Sequence, residues 1–130
     1  MEHQIFYPSL RPAGVPSWNE SSGHLSEPAI DLNKQLIQNE SATFLMRVNS
    51  DAMAEAGISR GDVVIVDRAA EVRSGKIVIA LVGEEMVIRR LEISQGKQKL
   101  LPASQKLSAI DIDPIHTSIW GVVTYVIRKF

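Results

Sequence analysis

The chain contains no cysteine, which excludes disulfide bridges, thiolate nucleophiles and cysteine-ligated zinc and fits a reducing compartment. Histidine is scarce too. His3, His24 and His116 follow neither a metal-binding spacing nor a Ser-His-Asp order, so no metal site is expected. Long apolar runs are missing: the stretches at 63–66 and 77–82 are far shorter than the roughly 20 residues of a bilayer span. The opening MEHQIFYPSL has neither the basic segment nor the apolar core of an export signal. A cytoplasmic protein with no membrane association is expected. Neither sign of charge dominates, since 14 Lys and Arg stand against 15 Asp and Glu for a net charge of −1. A protein that grips nucleic acid by releasing counterions is usually clearly basic, so direct duplex DNA binding is not expected. No cofactor is expected either.

What is present suits one soluble globular domain: 130 residues, 45% of them apolar and 22% charged. The character of the sequence changes near Glu40. Residues 1–40 hold four of the six prolines (Pro8, Pro12, Pro16 and Pro28) and carry five acids against two bases. That mixture fixes local turns without a periodic apolar face, so this part reads as an extended N-terminal arm. Asp31 is placed to cap a two-turn helix through LNKQLIQ, with Leu32, Leu36 and Ile37 turned toward the body. The arm's apolar side chains, among them Ile5, Phe6, Leu10 and Trp18, are enough to dock on a folded surface and too few for a core of their own.

Residues 41–130 read as a β domain. TFLMRV (43–48), DVVIVD (62–67), KIVIALV (76–82), EMVIRRL (85–91) and SIWGVVTYVIRKF (118–130) have the length and β-branched composition of strands, punctuated by glycines. Gly83 with its acidic neighbours predicts a hairpin between the third and fourth of these runs. QKLLPA (98–103) and SAIDI (108–112) are weaker strands, limited by Pro102 and Pro114. The fold class is therefore mainly β with one or two short helices. DAMAEA (51–56) interrupts the pattern: it is rich in helix formers, and Asp51 is positioned as its cap. A strand running into a short helix is either a plain connection or a place that presents a nucleophile beside free backbone N–H groups.

Several segments occur in the order found in one family. AGVPS, IDLNKQLIQNESATF, RVNSDAM, GISRGDVVIVDRA, GKIVIALVGEEMVIRRL and WGVVTYVIRKF together resemble the C-terminal domains of the LexA and UmuD group, the self-cleaving Ser-Lys peptidases of the bacterial DNA-damage (SOS) response. In length and order the chain looks like the UmuD-type members, and the resemblance implies the β domain of that group. It also implies a nucleophilic Ser two residues after a Gly and a Lys general base on the strand EMVIRRL. Those positions fall on Ala52 and Arg89, 37 residues apart, and the Gly position on Ser50.

Neither residue serves the family's chemistry. Ala52 has no hydroxyl, and a guanidinium holds its proton throughout the physiological range. Lys76, Lys97 and Lys99 read as solvated surface charges. The family's small-residue-then-Gly cleavage bond, by contrast, is matched by Ala13-Gly14 between Pro12 and Pro16. Oxyanion donors around residues 51–53 are backbone groups and are expected to survive these substitutions, provided that Ser50 in the usual Gly position leaves the turn undistorted.

The function implied is an accessory subunit of an error-prone translesion polymerase, normally activated by RecA-stimulated self-cleavage of the N-terminal arm and here in a non-cleaving form. Its implied partners are a second copy in a homodimer, the RecA filament on single-stranded DNA, and a UmuC-like Y-family polymerase. Two alternatives remain: an active self-cleaving serine peptidase, if the nucleophile or base lies elsewhere, or a LexA-like repressor. Only about 40 residues precede the body, with no helix-turn-helix pattern, which disfavours the repressor.

Overall fold

The computed structural model describes residues 5–6 and 29–130; Ala13, Gly14, His3 and His24 lie outside them. The mainly β expectation holds. The elements are β1 (Ile5–Phe6), α1 (Leu32–Leu36), a 3₁₀ turn (Glu40–Ala42), β2 (Thr43–Arg47), a second 3₁₀ turn (Ala54–Ala56), β3 (Val63–Asp67), β4 (Ile77–Val82), β5 (Glu85–Ser94), β6 (Lys97–Leu101), β7 (Ile110–Asp111) and β8 (Thr117–Ile127). All the strands join one antiparallel sheet in the order β1-β2-β3-β8-β4-β5-β6-β7.

The β-branched runs become strands buried on both faces. Val64, Ile65 and Val66 in β3, and Val78, Ile79 and Ala80 in β4, are wholly inaccessible, which explains why these runs are continuous rather than alternating. The period of two survives in where their side chains go. Val64, Val66, Ile79 and Ile88 pack with Met46, Val48, Met53 and Ile58, whereas Val78, Ala80, Val87 and Leu91 pack with Leu100 and Val122. Full burial of such a side chain is worth about 1.5–3 kcal/mol, so the two clusters supply most of the cohesion. The hairpin foreseen at Gly83 joins β4 to β5, with Val82 opposite Glu85 and Gly83 at φ +62°. A positive φ at the first of two loop residues suits glycine and the twist of a tight hairpin.

The strand β8 bends twice. Between β4 and β8, Ile79 faces Gly121 and Ala80 faces Ile119, so Trp120 is an extra residue; between β3 and β8, Thr124 is extra in the same way. A bulge leaves backbone groups without ladder partners, and here side chains take over. Arg68 Nε donates to the Trp120 carbonyl at 2.9 Å while its guanidinium lies 4.4 Å from the centre of the Trp120 ring. Thr124 Oγ1 donates to the Ile65 carbonyl at 3.3 Å. Beyond β8, Arg128 Nε and Nη2 donate to the two carboxylate oxygens of buried Asp62 at 3.0 and 2.8 Å, and Nη2 also reaches the Gly57 carbonyl and Ser59 Oγ.

Local expectations are corrected in three places. The helix after Asp31 is capped as foreseen, Asp31 Oδ1 accepting from the Asn33 and Lys34 N–H groups, but it stops at Leu36. Leu36 and Ile37 are half-buried, while Leu32 is exposed, because one short turn reaches the body only at its C-terminal end, where the Tyr125 hydroxyl donates to the Gln35 carbonyl. Asp51 does not cap the next turn with its carboxylate, which pairs with Arg60 at 3.2 Å. Its carbonyl instead accepts from Ala54 N–H. The last strand ends at Ile127 rather than running on to Phe130, since Arg128 is turned toward Asp62.

Two outcomes follow from this packing. A Cβ on Gly121 would lie 2.6 Å from Val66 Cγ1 in the closed core, so Gly121→Ala is expected to lower unfolding stability by about 1–3 kcal/mol in urea titration; an unchanged midpoint would contradict the close approach. The hydrogen bonds from Arg128 hold the Asp62 carboxyl below its ordinary value, against the opposing effect of burial. A carboxylate depressed in the folded state stabilises it fully above its unfolded pKa and loses that contribution as pH falls through the lower folded value. Thermal scans between pH 6 and 2 are therefore expected to show a steeper acid loss in the unmodified chain than in Arg128→Ala; parallel curves would refute this.

Candidate functional site

The strand β2 leads directly into the segment NSDAM (49–53). Two backbone bonds fix its exit, Val48 N–H to the Asp62 carbonyl and Gly61 N–H to the Val48 carbonyl, both 2.8 Å. Two more hold the turn itself: Ala103 N–H donates to the Ala52 carbonyl at 2.7 Å, and Glu55 N–H donates to the Ala103 carbonyl at 2.9 Å. Ala103 lies two residues beyond Leu101, which pairs with Arg90 of β5. The turn is thus sewn to the sheet beside the stretch of β5 that carries Arg89. Met53 and Ile88, the chain neighbours of Ala52 and Arg89, are members of one buried cluster.

Ala52 is buried, at 2% exposure, and its backbone N–H donates to Ser50 Oγ at 3.1 Å. Arg89 sits opposite Val78 in the β4–β5 ladder at 9% exposure. Its Nη1 donates to the neighbouring Ile88 carbonyl at 2.8 Å, while the buried Nε has no hydrogen-bond partner among the described residues. Burial pulls the Arg89 guanidinium below its usual value, opposed by the Glu85 carboxylate. A guanidinium starts so high that it remains a cation and cannot accept a proton from a hydroxyl. The geometry can hold backbone in place, but its methyl and its guanidinium offer neither a nucleophile nor a base.

The other residues weighed from sequence stay apart from this turn. Lys76 and Lys97 are exposed and Lys99 is half-buried, with Lys97 and Lys99 facing Ser94 and Glu92 across the β5–β6 ladder. His116 Nδ1 bonds the Asp113 carboxylate at 2.6 Å on the exposed surface. Among the described residues no cluster of three or more His, Asp or Glu is arranged for a metal, and no helix is long and apolar enough to cross a membrane. Sequence reasoning missed Ala103, whose role is a backbone pairing over about 50 residues with no side-chain signature. It also missed the Asp62–Arg128 pair, which brings two unremarkable charged residues together only once β8 has docked.

The comparisons with known proteins cover most of the chain. The Peptidase S24-like family matches residues 6–124. Protein ImpA of Escherichia coli is 35% identical over 117 residues, which span 90% of this chain and 78% of ImpA. Protein MucA of Escherichia coli is 33% identical over 126 residues, 95% of this chain and 84% of MucA. The LexA repressor of Bordetella petrii is 43% identical over 70 residues, but these are 54% of this chain and 31% of the repressor. A match of this extent, on the antiparallel sheet described above, makes the chain a member of the Peptidase S24-like family and, within its LexA and UmuD group, a UmuD-like one.

Proposed function

We propose that this protein is a UmuD-like SOS-response subunit that supports an error-prone, UmuC-like Y-family translesion polymerase and does not cleave itself. In this reading it is a cytoplasmic homodimer, residues 1–40 are its regulatory arm, and it meets the RecA filament on single-stranded DNA without gripping duplex DNA. The observation that carries the non-cleaving part is the pair at the two dyad positions. Ala52 offers a buried methyl, and Arg89 a buried cation that keeps its proton. The preference for a UmuD-like subunit over a repressor is supported by coverage. The similarity extends over 78% of ImpA and 84% of MucA but only 31% of the LexA repressor.

The balance of charge supports the remaining part. Residues 41–130 carry 12 basic and 10 acidic side chains, too small an excess for strong sequence-independent DNA binding at physiological salt. Exposed apolar residues at the end of the last strand, Tyr125, Val126 and Ile127, are surface of the kind that a second copy covers.

Incubation with RecA, single-stranded DNA and a nucleotide is expected to leave the chain at full mass. Release of a fragment beginning at Gly14 would mean that a nucleophile and base exist elsewhere in the chain and would restore the peptidase alternative. Sedimentation at micromolar concentration is expected to show a species of twice the chain mass, and a clean monomer at every concentration would remove the dimer. For the polymerase role the measurement is induced mutagenesis after ultraviolet damage, in cells that retain the polymerase and lack their own UmuD-type subunit. A change in mutation frequency on expressing this chain is expected; none would sink the accessory role.

A further inference from the structure

We propose that the Ser50 hydroxyl is a third block on peptidase chemistry in this chain, separate from Ala52 and Arg89, because it occupies the backbone N–H that an oxyanion at this site would need. This rests on the functional reading above and names a residue that the reading leaves out. In serine acyl transfer the nucleophile's own backbone N–H is a usual oxyanion donor, aimed at the position where charge develops. Here the Ala52 N–H is aimed at Ser50 Oγ, 3.1 Å away. The hydroxyl oxygen presents a lone pair to that hydrogen, so an incoming oxyanion must displace it before the amide can serve as a donor. The turn cannot readily swing its N–H elsewhere, since the Ala52 carbonyl is held by Ala103 and the following Met53 is wholly buried.

Backbone strain does not account for the difference between Ser and the Gly of the resemblance. Among the described residues Gln95 is the one non-glycine with positive φ, so the backbone at position 50 is not in the left-handed region that favours glycine. What Ser adds is the hydroxyl.

The test begins from Ala52→Ser/Arg89→Lys. In that variant the new hydroxyl attacks the Ala13 carbonyl carbon and passes its proton to the new amine, while the carbonyl oxygen takes the negative charge. Collapse expels the Gly14 amine, which takes that proton, and water hydrolyses the resulting ester. Cleavage is timed by mass with RecA filaments, in this background alone and with Ser50→Gly, Ser50→Ala or Ser50→Thr added. Displacing one neutral hydrogen bond costs up to about tenfold. The Gly and Ala additions are therefore expected to cleave at similar rates, about tenfold faster than the double variant or the Thr addition. A double variant as fast as the others, or rescue by Gly and not by Ala, would overturn the proposal.

Amide hydrogen exchange at Ala52 gives a readout that does not need cleavage. Ser50→Ala in the otherwise unmodified chain is expected to speed that exchange by about tenfold, and unchanged exchange would refute the assignment. If exchange accelerates but no variant cleaves, the hydrogen bond stands and it is the peptidase-derived reading of the site that fails.

Discussion

Among the described residues strand β8, the last of them, lies between β3 and β4, and through it alone the ladders of β1–β3 and β4–β7 form one sheet. Its pairings bring residues near 120 against residues near 65 and 80, a non-local closure that pays its loop entropy before any contact rewards it. The position is demanding because β8 must bend to follow two neighbours. It does so at Trp120 and Thr124, each an extra residue whose lost ladder contact is taken up by Arg68 or by the threonine hydroxyl itself. Gly121 stands between the bulges with no room for a Cβ against Val66. Where β8 ends, Arg128 clasps Asp62 and the carbonyl of Gly57. The strand that closes the sheet therefore also fixes the loop that follows the candidate site.

In the proposed reading, that arrangement lets the turn keep its shape whether or not it carries the family's chemistry. The turn carrying Ala52 is held by main-chain bonds from Ala103 and to Ala103 and by the burial of Met53. None of these depends on a hydroxyl at 52 or an amine at 89. Catalytic side chains and scaffold are separable here because the scaffold is made of backbone. The same separation applies to function across the family: a fold carries many roles, and the role resides in the site.

Much of the fold was legible because each long β-branched run became a strand with its ends within about three residues of those expected, and because glycine marked the β4–β5 turn. The helix cap at Asp31 was legible for the same local reason. Pairing order was not, since nothing in SIWGVVTYVIRKF states that it inserts between β3 and β4; that depends on which buried faces match after collapse. Asp51 misled because its competitor, Arg60, is nine residues away and comes close only when the loop folds. At the site, residue types could be read from the resemblance, and the burial of both followed from the structure. The bond between Ser50 and the Ala52 amide was not legible, because a hydroxyl two residues before an amide can as readily point to solvent.

Burial itself carries the last step. A lysine in the place of Arg89 would have its pKa lowered by the same apolar surroundings, and a fraction of it would become a neutral amine able to take a proton. The surroundings thus convert desolvation into basicity for an amine. For a guanidinium the same desolvation lowers the pKa from a far higher start, so the group remains charged and its burial gives no base. Among the described residues the buried Nε of Arg89 has no hydrogen-bond partner, and in the proposed reading it marks that mismatch: a donor held where the surroundings would favour a neutral amine.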